Sequence, residues 1–201
     1  MKVYMVRHGE TESNVLKKYC GSYEGELTTL GEVQAQELTR KLQGISFYKV
    51  YSSPLNRCRR TADIITGHNS KIIDDRLKER DFGIFENKTY EELLKEYPRE
   101  VESWSKDWIN YPIPKGESAK EAYDRVKLFM EELQSIESDI NNEDNQDANI
   151  LVVTHGGVIR LMCSAVLGGD LESFWRISAK PGSLTLFALN KGFWTLEALN
   201  I

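Results

Sequence analysis

Two apolar strands of this chain end in a histidine followed by glycine, and this repeated feature constrains the fold more than any other. The first strand begins at Lys2 and runs into Arg7-His8-Gly9. A later strand pattern, over residues 150–154, runs into His155-Gly156-Gly157. In open α/β sheets, ligands bind in the crevice outside the carboxyl ends of the strands. The sequence therefore predicts that both histidines lie at one edge of a mainly parallel sheet.

A third strand pattern, over residues 47–51, ends at Ser52-Ser53-Pro54, which predicts a serine-capped helix with proline at its first position. Arg57 falls in the first turn of that helix. If the three strands are adjacent, two histidines and two arginines meet beside several helix N-termini, which carry partial positive charge and free N–H groups. The forked N–H groups of arginine suit phosphate. The pattern indicates an anion site.

The alternation of strands and helices predicts a three-layer α/β/α sandwich with a mostly parallel sheet. Two strand patterns, 184–189 and 193–199, flank Asn190-Lys191-Gly192 and predict a closing hairpin, which gives the sheet an antiparallel edge. The 201 residues, 40% of them hydrophobic, are enough for a single domain over 1–201. An aromatic- and proline-rich insert at about 84–117 is expected to cover the site.

Helix patterns lie within this insert and after it. Apolar residues at helical spacing predict helices over 90–97, ended by Pro98, and over 118–140. Trp104 and Trp108, four residues apart on a predicted helix, either close over a ligand or pack against the core. The polar run 141–147 is expected to form a solvated loop.

Composition limits the partners of this chain. Its formal net charge of −5 argues against a nucleic-acid binder, and no segment approaches the roughly 20 apolar residues of a membrane helix. The first strand is too short for the apolar region of a signal peptide. Three scattered cysteines, Cys20, Cys58 and Cys163, indicate neither a disulfide framework nor a zinc site. We expect a cytoplasmic protein that binds a small molecule, as a monomer or as a homodimer.

A metal site is the main alternative for two converging histidines. Two nearby arginines would repel a divalent cation, and the sequence offers no third ligand at a typical spacing. A single His-Gly turn is more often structural than catalytic, but two of the three histidines follow this pattern. The third, His68, lies in a polar loop and is expected at the surface. We therefore expect no metal.

Arg7-His8-Gly9-Glu10-Thr11 together with His155-Gly156-Gly157 resembles the histidine phosphatase superfamily, whose fold is phosphoglycerate-mutase-like. The resemblance covers nearly the whole chain. Further motifs occur in family order at Asn14, at Gly21, and over residues 27–31, 52–57, 79–83 and 116–118. Asn87 and Lys115 depart from the pattern, because the family often has glycine at these two positions.

The resemblance implies how the reaction is carried out. His8 is the nucleophile that takes the phosphoryl group as a phosphohistidine. Arg7, Arg57 and His155 bind the phosphoryl oxygens and stabilise charge during transfer. Glu79 protonates the leaving oxygen. Neither a metal nor another cofactor is then required, because the arginines neutralise the phosphate.

The resemblance also implies a substrate pocket around these groups, formed in part by backbone N–H groups. Its members are Asn14, Cys20, Gly21 and Gly156. Ordinary structural roles compete with some assignments. Glu79 has Lys78 and Arg80 as neighbours for surface ion pairs, Glu10 is expected to orient the first turn, and Arg160 is expected to be structural.

Segments near the insert narrow the class of substrate. Mutases of the superfamily usually carry an extra segment between the acid and the final histidine, so this compact chain favours a phosphatase. Residues 104–108, 174–177 and 181–183 are similar to a group that hydrolyses α-ribazole 5′-phosphate in cobalamin nucleotide-loop assembly. A broad-specificity phosphatase of small phosphorylated metabolites is the alternative. A non-catalytic binding module is disfavoured, because every expected catalytic residue is present.

Overall fold

The computed structural model describes residues 1–68, 70–142 and 148–201, and within them six strands form one sheet. The strands are β1 (Lys2–Arg7), β2 (Lys49–Ser52), β3 (Ile72–Ile73), β4 (Asn149–Thr154), β5 (Leu184–Asn190) and β6 (Phe193–Ala198). Their order is β3-β2-β4-β1-β5-β6. The first four strands pair in parallel, β5 is antiparallel to β1, and β6 is antiparallel to β5. This confirms the parallel sheet with an antiparallel hairpin edge.

Seven α-helices and three short 3₁₀ turns connect these strands in the described residues. The helices are α1 (Glu12–Val15), α2 (Thr29–Lys41), α3 (Asn56–Thr66), α4 (Tyr90–Glu96), α5 (Pro98–Lys106), α6 (Ala119–Asn142) and α7 (Gly156–Leu167). The 3₁₀ turns are Asp75–Leu77, Gly83–Phe85 and Phe174–Arg176. None of the described helices is long and apolar enough to cross a membrane. Most of the predicted loop 141–147, namely 143–147, lies outside the described residues.

Alternate residues of the central strands face opposite layers of helices, as the period of two along a strand requires. Val3 and Met5 of β1 pack in one core with α6 and α7. Val6 packs in a second core with α2 and α3, on the other face of the sheet. Ile150 and Leu151 of β4 divide between these two cores in the same manner. The three-layer α/β/α sandwich is therefore confirmed.

The parallel register brings three strand ends to one level. Val6 of β1 and Ser52 of β2 are both paired with Val153 of β4. The His8 N–H donates to the Thr154 carbonyl at 3.0 Å, and the Ser53 N–H donates to the Val153 carbonyl at 3.0 Å. The residues that follow β1, β2 and β4 consequently meet at one edge of the sheet, as the sequence predicted.

The start of α3 differs from the prediction. The helix begins at Asn56, and Leu55 is the extended residue at its N-cap position, with φ −68° and ψ 138°. The predicted cap, Ser53, instead places its Oγ 2.8 Å from His155 Nε2. The serine that was predicted to cap the helix therefore forms a hydrogen bond with His155.

The insert also differs in detail from the prediction. Pro98 does more than end α4: it begins α5, because the first turn of a helix tolerates the missing N–H of proline. Helix α5 ends at Lys106, so Trp108 lies beyond it and the two tryptophans do not share a helix. Trp104 is 7% exposed and packs against Phe85 with ring centroids 6.0 Å apart.

Backbone geometry explains why the family often has glycine at the two positions where this chain departs from its pattern. Asn87 has φ +59° and Lys115 has φ +65°, both in the left-handed region that favours glycine. Asparagine tolerates this conformation better than most residues, whereas lysine adopts it at some cost. The family's preference for glycine at both positions is thus a backbone requirement.

Candidate active site

The two strand-end histidines lie side by side at the sheet edge. The rings of His8 and His155 have centroids 5.1 Å apart and an interplanar angle of 65°. The residues are 4% and 0% exposed, respectively. Together with Arg7 and Arg57 they form what we call the sheet-edge cluster.

His8 is held as a neutral imidazole with one free nitrogen. Its Nδ1 lies 2.7 Å from the Gly9 carbonyl oxygen, which can only accept, so Nδ1 carries the proton. The lone pair is therefore on Nε2. Burial, followed by the charges of Arg57 and Arg7, holds the pKa of His8 well below its ordinary value. A neutral imidazole with an available lone pair can act as a nucleophile.

His155 is fixed by hydrogen bonds at both ring nitrogens. Arg57 Nε donates to its Nδ1 at 3.3 Å, so Nε2 carries the proton and donates to Ser53 Oγ at 2.8 Å. The Cys58 Sγ packs 3.3 Å from Nε2. Burial and the neighbouring Arg57 lower the pKa of His155 well below its ordinary value, so this ring is also neutral.

Arg57 joins the cluster to the loop that follows α1. The residue is 1% exposed, and its Nη1 and Nη2 donate to the carbonyls of Tyr23 at 2.8 Å and Gly21 at 2.7 Å. With the bond to His155, three of the five guanidinium N–H groups are used by the protein. The remaining two give Arg57 capacity to bind an anion beside His8.

Arg7 lies against the start of α7. Its Nη1 donates to the Ala179 carbonyl at 2.6 Å, while its buried Nε has no hydrogen-bond partner among the described residues. A Cβ atom on Gly156 would lie 3.1 Å from Nε, so glycine permits this close approach. Burial lowers the pKa of Arg7, and the nearby Glu79 carboxylate opposes that effect. The Arg7 guanidinium charge beside the N-terminus of α7 suits an anion.

Both Arg7 and Gly156 line a cavity of about 290 Å³ that opens beside the sheet-edge cluster. Asn14 and Cys20 line the same cavity, as the predicted pocket requires. Asn14 Oδ1 accepts the Thr11 N–H at 3.1 Å, which leaves the amide NH₂ as a donor. Burial raises the pKa of the Cys20 thiol, so the side chain is neutral.

Gly21 does not offer its N–H to the cavity, which corrects the role predicted for it. That N–H donates to the carboxylate of Glu86, at 3.0 Å to Oε2 and 3.1 Å to Oε1. Only the Gly21 carbonyl faces the cluster, as an acceptor for Arg57. The glycine is nevertheless needed, because a Cβ would lie 1.9 Å from the Arg80 carbonyl oxygen.

The Glu79 carboxylate is directed to the start of α7, not to a surface cation. Its Oε2 accepts the Gly157 N–H at 2.8 Å, and its Oε1 accepts the Arg80 N–H at 2.9 Å. Lys78 forms its ion pair with Asp75, at 3.1 Å. A Cβ atom on Gly157 would lie 2.1 Å from Glu79 Oε1, so the second glycine provides space for the carboxylate. Glu79 also lines the cavity, where it can exchange a proton with a ligand.

The cavity is also lined by cationic and aromatic side chains besides the predicted pocket residues. We call these residues the outer wall: Arg80, Trp104, Arg160, Phe174 and Trp175. Arg80 is 7% exposed, and burial lowers its pKa to about 10. Three buried atoms of this wall have no hydrogen-bond partner among the described residues: Arg80 Nη2, Trp104 Nε1 and Arg160 Nε.

Arg160, which was expected to be structural, lines the cavity. Arg160 lies four residues after Gly156 and three after Gly157, on the same face of α7. Its guanidinium carbon is 5.6 Å from the centroid of the Phe174 ring. The spacing Gly156-Gly157-x-x-Arg160 was a usable signal, because residues three or four apart on a helix share a face.

Aromatic rings complete the outer wall. Phe174 and Trp175 have centroids 5.0 Å apart, and Trp108 contacts them at 5.3 Å each. Trp175 remains 56% exposed at the mouth of the cavity. The cavity therefore joins a cationic floor to a partly aromatic entrance. No group of three or more His, Cys, Asp or Glu side chains in the described part of the chain is placed to hold a metal ion.

Comparisons with known proteins show the family to which this chain belongs. The family model of the histidine phosphatase superfamily (branch 1) matches residues 3–201. The chain is 32% identical to an adenosylcobalamin/α-ribazole phosphatase of Escherichia coli K12, over 100% of this chain and 96% of that protein. It is 30% identical to phosphoserine phosphatase 1 of Hydrogenobacter thermophilus, over 100% of this chain and 92% of that protein.

A solved structure shows the same fold. The α-ribazole phosphatase from Shigella flexneri matches with a TM-score of 0.86 at 31% identity, covering 100% of this chain and 96% of that one. The chain belongs to the histidine phosphatase superfamily. Its family and its relatives support phosphatase activity.

Proposed function

We propose that this protein hydrolyses small phosphomonoesters through a phosphohistidine on His8. The observation that carries the proposal is the neutral His8 ring, whose Nδ1 proton is tied to the Gly9 carbonyl while Arg7 and Arg57 lie beside it. The unprotonated Nε2 supplies the electron pair for attack on phosphorus. The two guanidinium groups supply charge that stabilises the phosphoryl oxygens.

The reaction proceeds in two displacements. His8 Nε2 forms a bond to phosphorus as the ester P–O bond breaks, and protonated Glu79 gives its proton to the leaving oxygen. A water molecule then attacks the phosphohistidine. The Glu79 carboxylate takes a proton from that water, the P–N bond breaks, and inorganic phosphate leaves with His8 neutral again. Glu79 thus returns to its starting state once per turnover.

For the substrate, we propose α-ribazole 5′-phosphate. The relatives from E. coli and S. flexneri are named for this activity. The aromatic part of the outer wall, Phe174 and Trp175 with Trp108 behind them, offers faces for stacking a benzimidazole base. We place the reaction in the cytoplasm, in keeping with three free cysteines.

A second candidate is a phosphomonoester that also carries a carboxylate, such as phosphoserine. Arg80 and Arg160, which both line the cavity, favour it, because their guanidinium groups attract a second anionic group. The relative from H. thermophilus is named a phosphoserine phosphatase. The two candidates therefore use different parts of the same wall.

Phosphate release from a panel of esters, measured with EDTA present, tests the proposal. The panel contains α-ribazole 5′-phosphate, phosphoserine, phosphoethanolamine, phosphoglycerates and p-nitrophenyl phosphate. A preference for α-ribazole 5′-phosphate supports the first candidate, and a preference for phosphoserine over phosphoethanolamine, which lacks the carboxylate, supports the second. Similar turnover of all esters would indicate a broad-specificity phosphatase.

Other outcomes of the same panel would contradict the proposal. Interconversion of phosphoglycerates without phosphate release would indicate a mutase. Loss of all activity with EDTA would indicate a metal-dependent reaction. Binding of these esters without any turnover would indicate a non-catalytic module.

A further inference from the structure

Glu86 lies outside the cavity, yet its carboxylate collects more backbone N–H groups than any group of the site described above. It accepts from Gly21 at 3.0 Å, Ser22 at 2.9 Å and Tyr23 at 3.3 Å, and from Phe82 at 2.9 Å. These donors come from two separate segments, the loop after α1 and the turn after Glu79. One carboxylate therefore joins the segment that faces Arg57 to the segment that bears Glu79.

The same loop contacts Arg57 through its carbonyl groups. The carbonyls of Gly21 and Tyr23 accept from Nη2 and Nη1 of Arg57, at 2.7 and 2.8 Å. The loop peptides thus lie between a carboxylate that accepts their N–H groups and a guanidinium that donates to their oxygens. Hydrogen bonds that polarise one another in this manner are mutually strengthening.

The guanidinium in turn fixes His155, since Arg57 Nε donates to His155 Nδ1. Close packing leaves the loop little freedom to adjust. A Cβ on Gly21 would lie 2.6 Å from Glu86 Oε1 and 1.9 Å from the Arg80 carbonyl oxygen. The orientation of Arg57 therefore depends on a loop whose own position depends on Glu86.

We infer that Glu86 is a positioning residue for phosphoryl transfer, which acts by holding the 21–23 loop so that Arg57 is aligned with His155 and the bound phosphate. This inference rests on the proposed function, because it assigns Arg57 to the phosphoryl oxygens. Glu86 touches neither the cavity nor the reacting groups. Its effect on the reaction is transmitted through Arg57.

The test begins with Glu86→Gln, which keeps the size of the side chain but replaces one acceptor oxygen with an NH₂ group that faces backbone N–H donors. We expect kcat/KM for p-nitrophenyl phosphate to fall roughly ten- to a hundredfold, and inhibition by orthovanadate to weaken by a similar factor. Glu91→Gln, an exposed glutamate on α4, is the matched control, and its kinetics should equal those of the wild type.

A double-mutant cycle separates positioning from general stabilisation of the fold. In an Arg57→Ala background, Glu86→Gln should change kcat/KM by less than about threefold, because the residue through which it acts is already gone. A full tenfold or larger additional loss in that background would overturn the inference. So would wild-type kinetics and vanadate inhibition in the single variant.

Three further outcomes complete the test. If Glu86→Gln does not fold, Glu86→Asp, which keeps the charge with a shorter reach, takes its place in the cycle and must show the same non-additivity with Arg57→Ala. A wild-type protein that neither hydrolyses phosphomonoesters nor binds orthovanadate would overturn the proposed function, and this inference with it. An active wild type with an additive cycle would overturn the inference alone.

Discussion

The sheet-edge cluster and the outer wall of the cavity beside it are built in different ways. In the sheet-edge cluster, both imidazoles are neutral and Arg57 is held by three hydrogen bonds to the protein. In the outer wall, Arg80, Trp104 and Arg160 each leave a buried donor atom without a partner among the described residues. Most groups of the cluster are oriented by hydrogen bonds to the protein, with Arg7 Nε as the exception, whereas three residues of the wall each keep an unpaired donor atom among the described residues.

We relate this difference to two roles: the cluster carries out the reaction, and the wall selects the substrate. A reaction centre benefits from groups that are already fixed when charge develops, because reorganisation then costs little. Cationic side chains that line a cavity do not accelerate a reaction by themselves, but they favour ligands that carry a matching anionic group. We therefore expect changes in the cluster to abolish turnover of all substrates, and changes in the wall to alter which substrate is preferred.

The largest effect is expected for His8→Ala. The variant should lose turnover of every ester by about 10⁴-fold or more, because no other group supplies the attacking electron pair. Circular dichroism should show an intact fold, and kinetics on p-nitrophenyl phosphate measures the loss. Turnover close to that of the wild type would remove His8 from the mechanism.

Glu79→Gln should distinguish esters by their leaving groups. Alkyl phosphates, whose leaving oxygen needs a proton, should slow by about 10²–10⁴-fold, whereas p-nitrophenyl phosphate should slow much less. Gly157→Ala should act in the same direction, because its Cβ would displace the carboxylate. The ratio of kcat values for the two substrate types is the readout, and equal losses on both would contradict the assignment of Glu79 as the acid.

In the outer wall, Arg160→Gln should change selectivity more than chemistry. We expect roughly a ten- to a hundredfold loss in kcat/KM for an ester with a second anionic group, since a charged hydrogen bond is removed. Turnover of p-nitrophenyl phosphate should change little. Arg176→Gln, at an exposed position outside the cavity, is the control. A uniform loss on all substrates would place Arg160 with the reaction centre.

The smallest effect concerns stability against pH. The folded protein holds the pKa values of His8 and His155 below the ordinary value near 6.5, so only the unfolded chain takes up these protons as the pH falls. The contribution of these two neutral rings to the free energy of unfolding is present above pH 6.5 and is lost below it. The free energy then falls by up to about 1.4 kcal/mol per pH unit for each ring. Denaturant melts between pH 7.5 and 5.5 should show a shallower decline for His8→Asn than for the wild type. Equal slopes would contradict the lowered pKa of His8.

The contrast between the cluster and the wall also explains which parts of the site could be predicted from the sequence. His8, Arg57 and His155 follow strands, and parallel strands of known register bring their ends together without further information. The wall is assembled from the turn after Glu79, the insert helix α5, the middle of α7 and the turn at Phe174–Arg176. No local pattern specifies how segments so far apart in sequence approach one another.

Two corrections show the same limit at the level of single residues. Ser53 has the pattern of a helix cap, but the proximity of His155 gives its hydroxyl a different partner. The N–H groups near Gly21 were expected to complete the pocket, but Glu86, 65 residues later in the chain, accepts the N–H of Gly21. In both cases a tertiary hydrogen bond decides a role that the local sequence left open.

The most direct test of the account is to trap the covalent intermediate. The wild type is mixed with a ³²P-labelled phosphomonoester in the presence of EDTA, quenched in alkali within one turnover, digested and mapped by mass spectrometry. We predict label on the peptide that contains His8, stable in alkali and labile in acid, and no label in His8→Ala. Steady turnover without labelled His8, or label on another residue, would contradict the phosphohistidine mechanism.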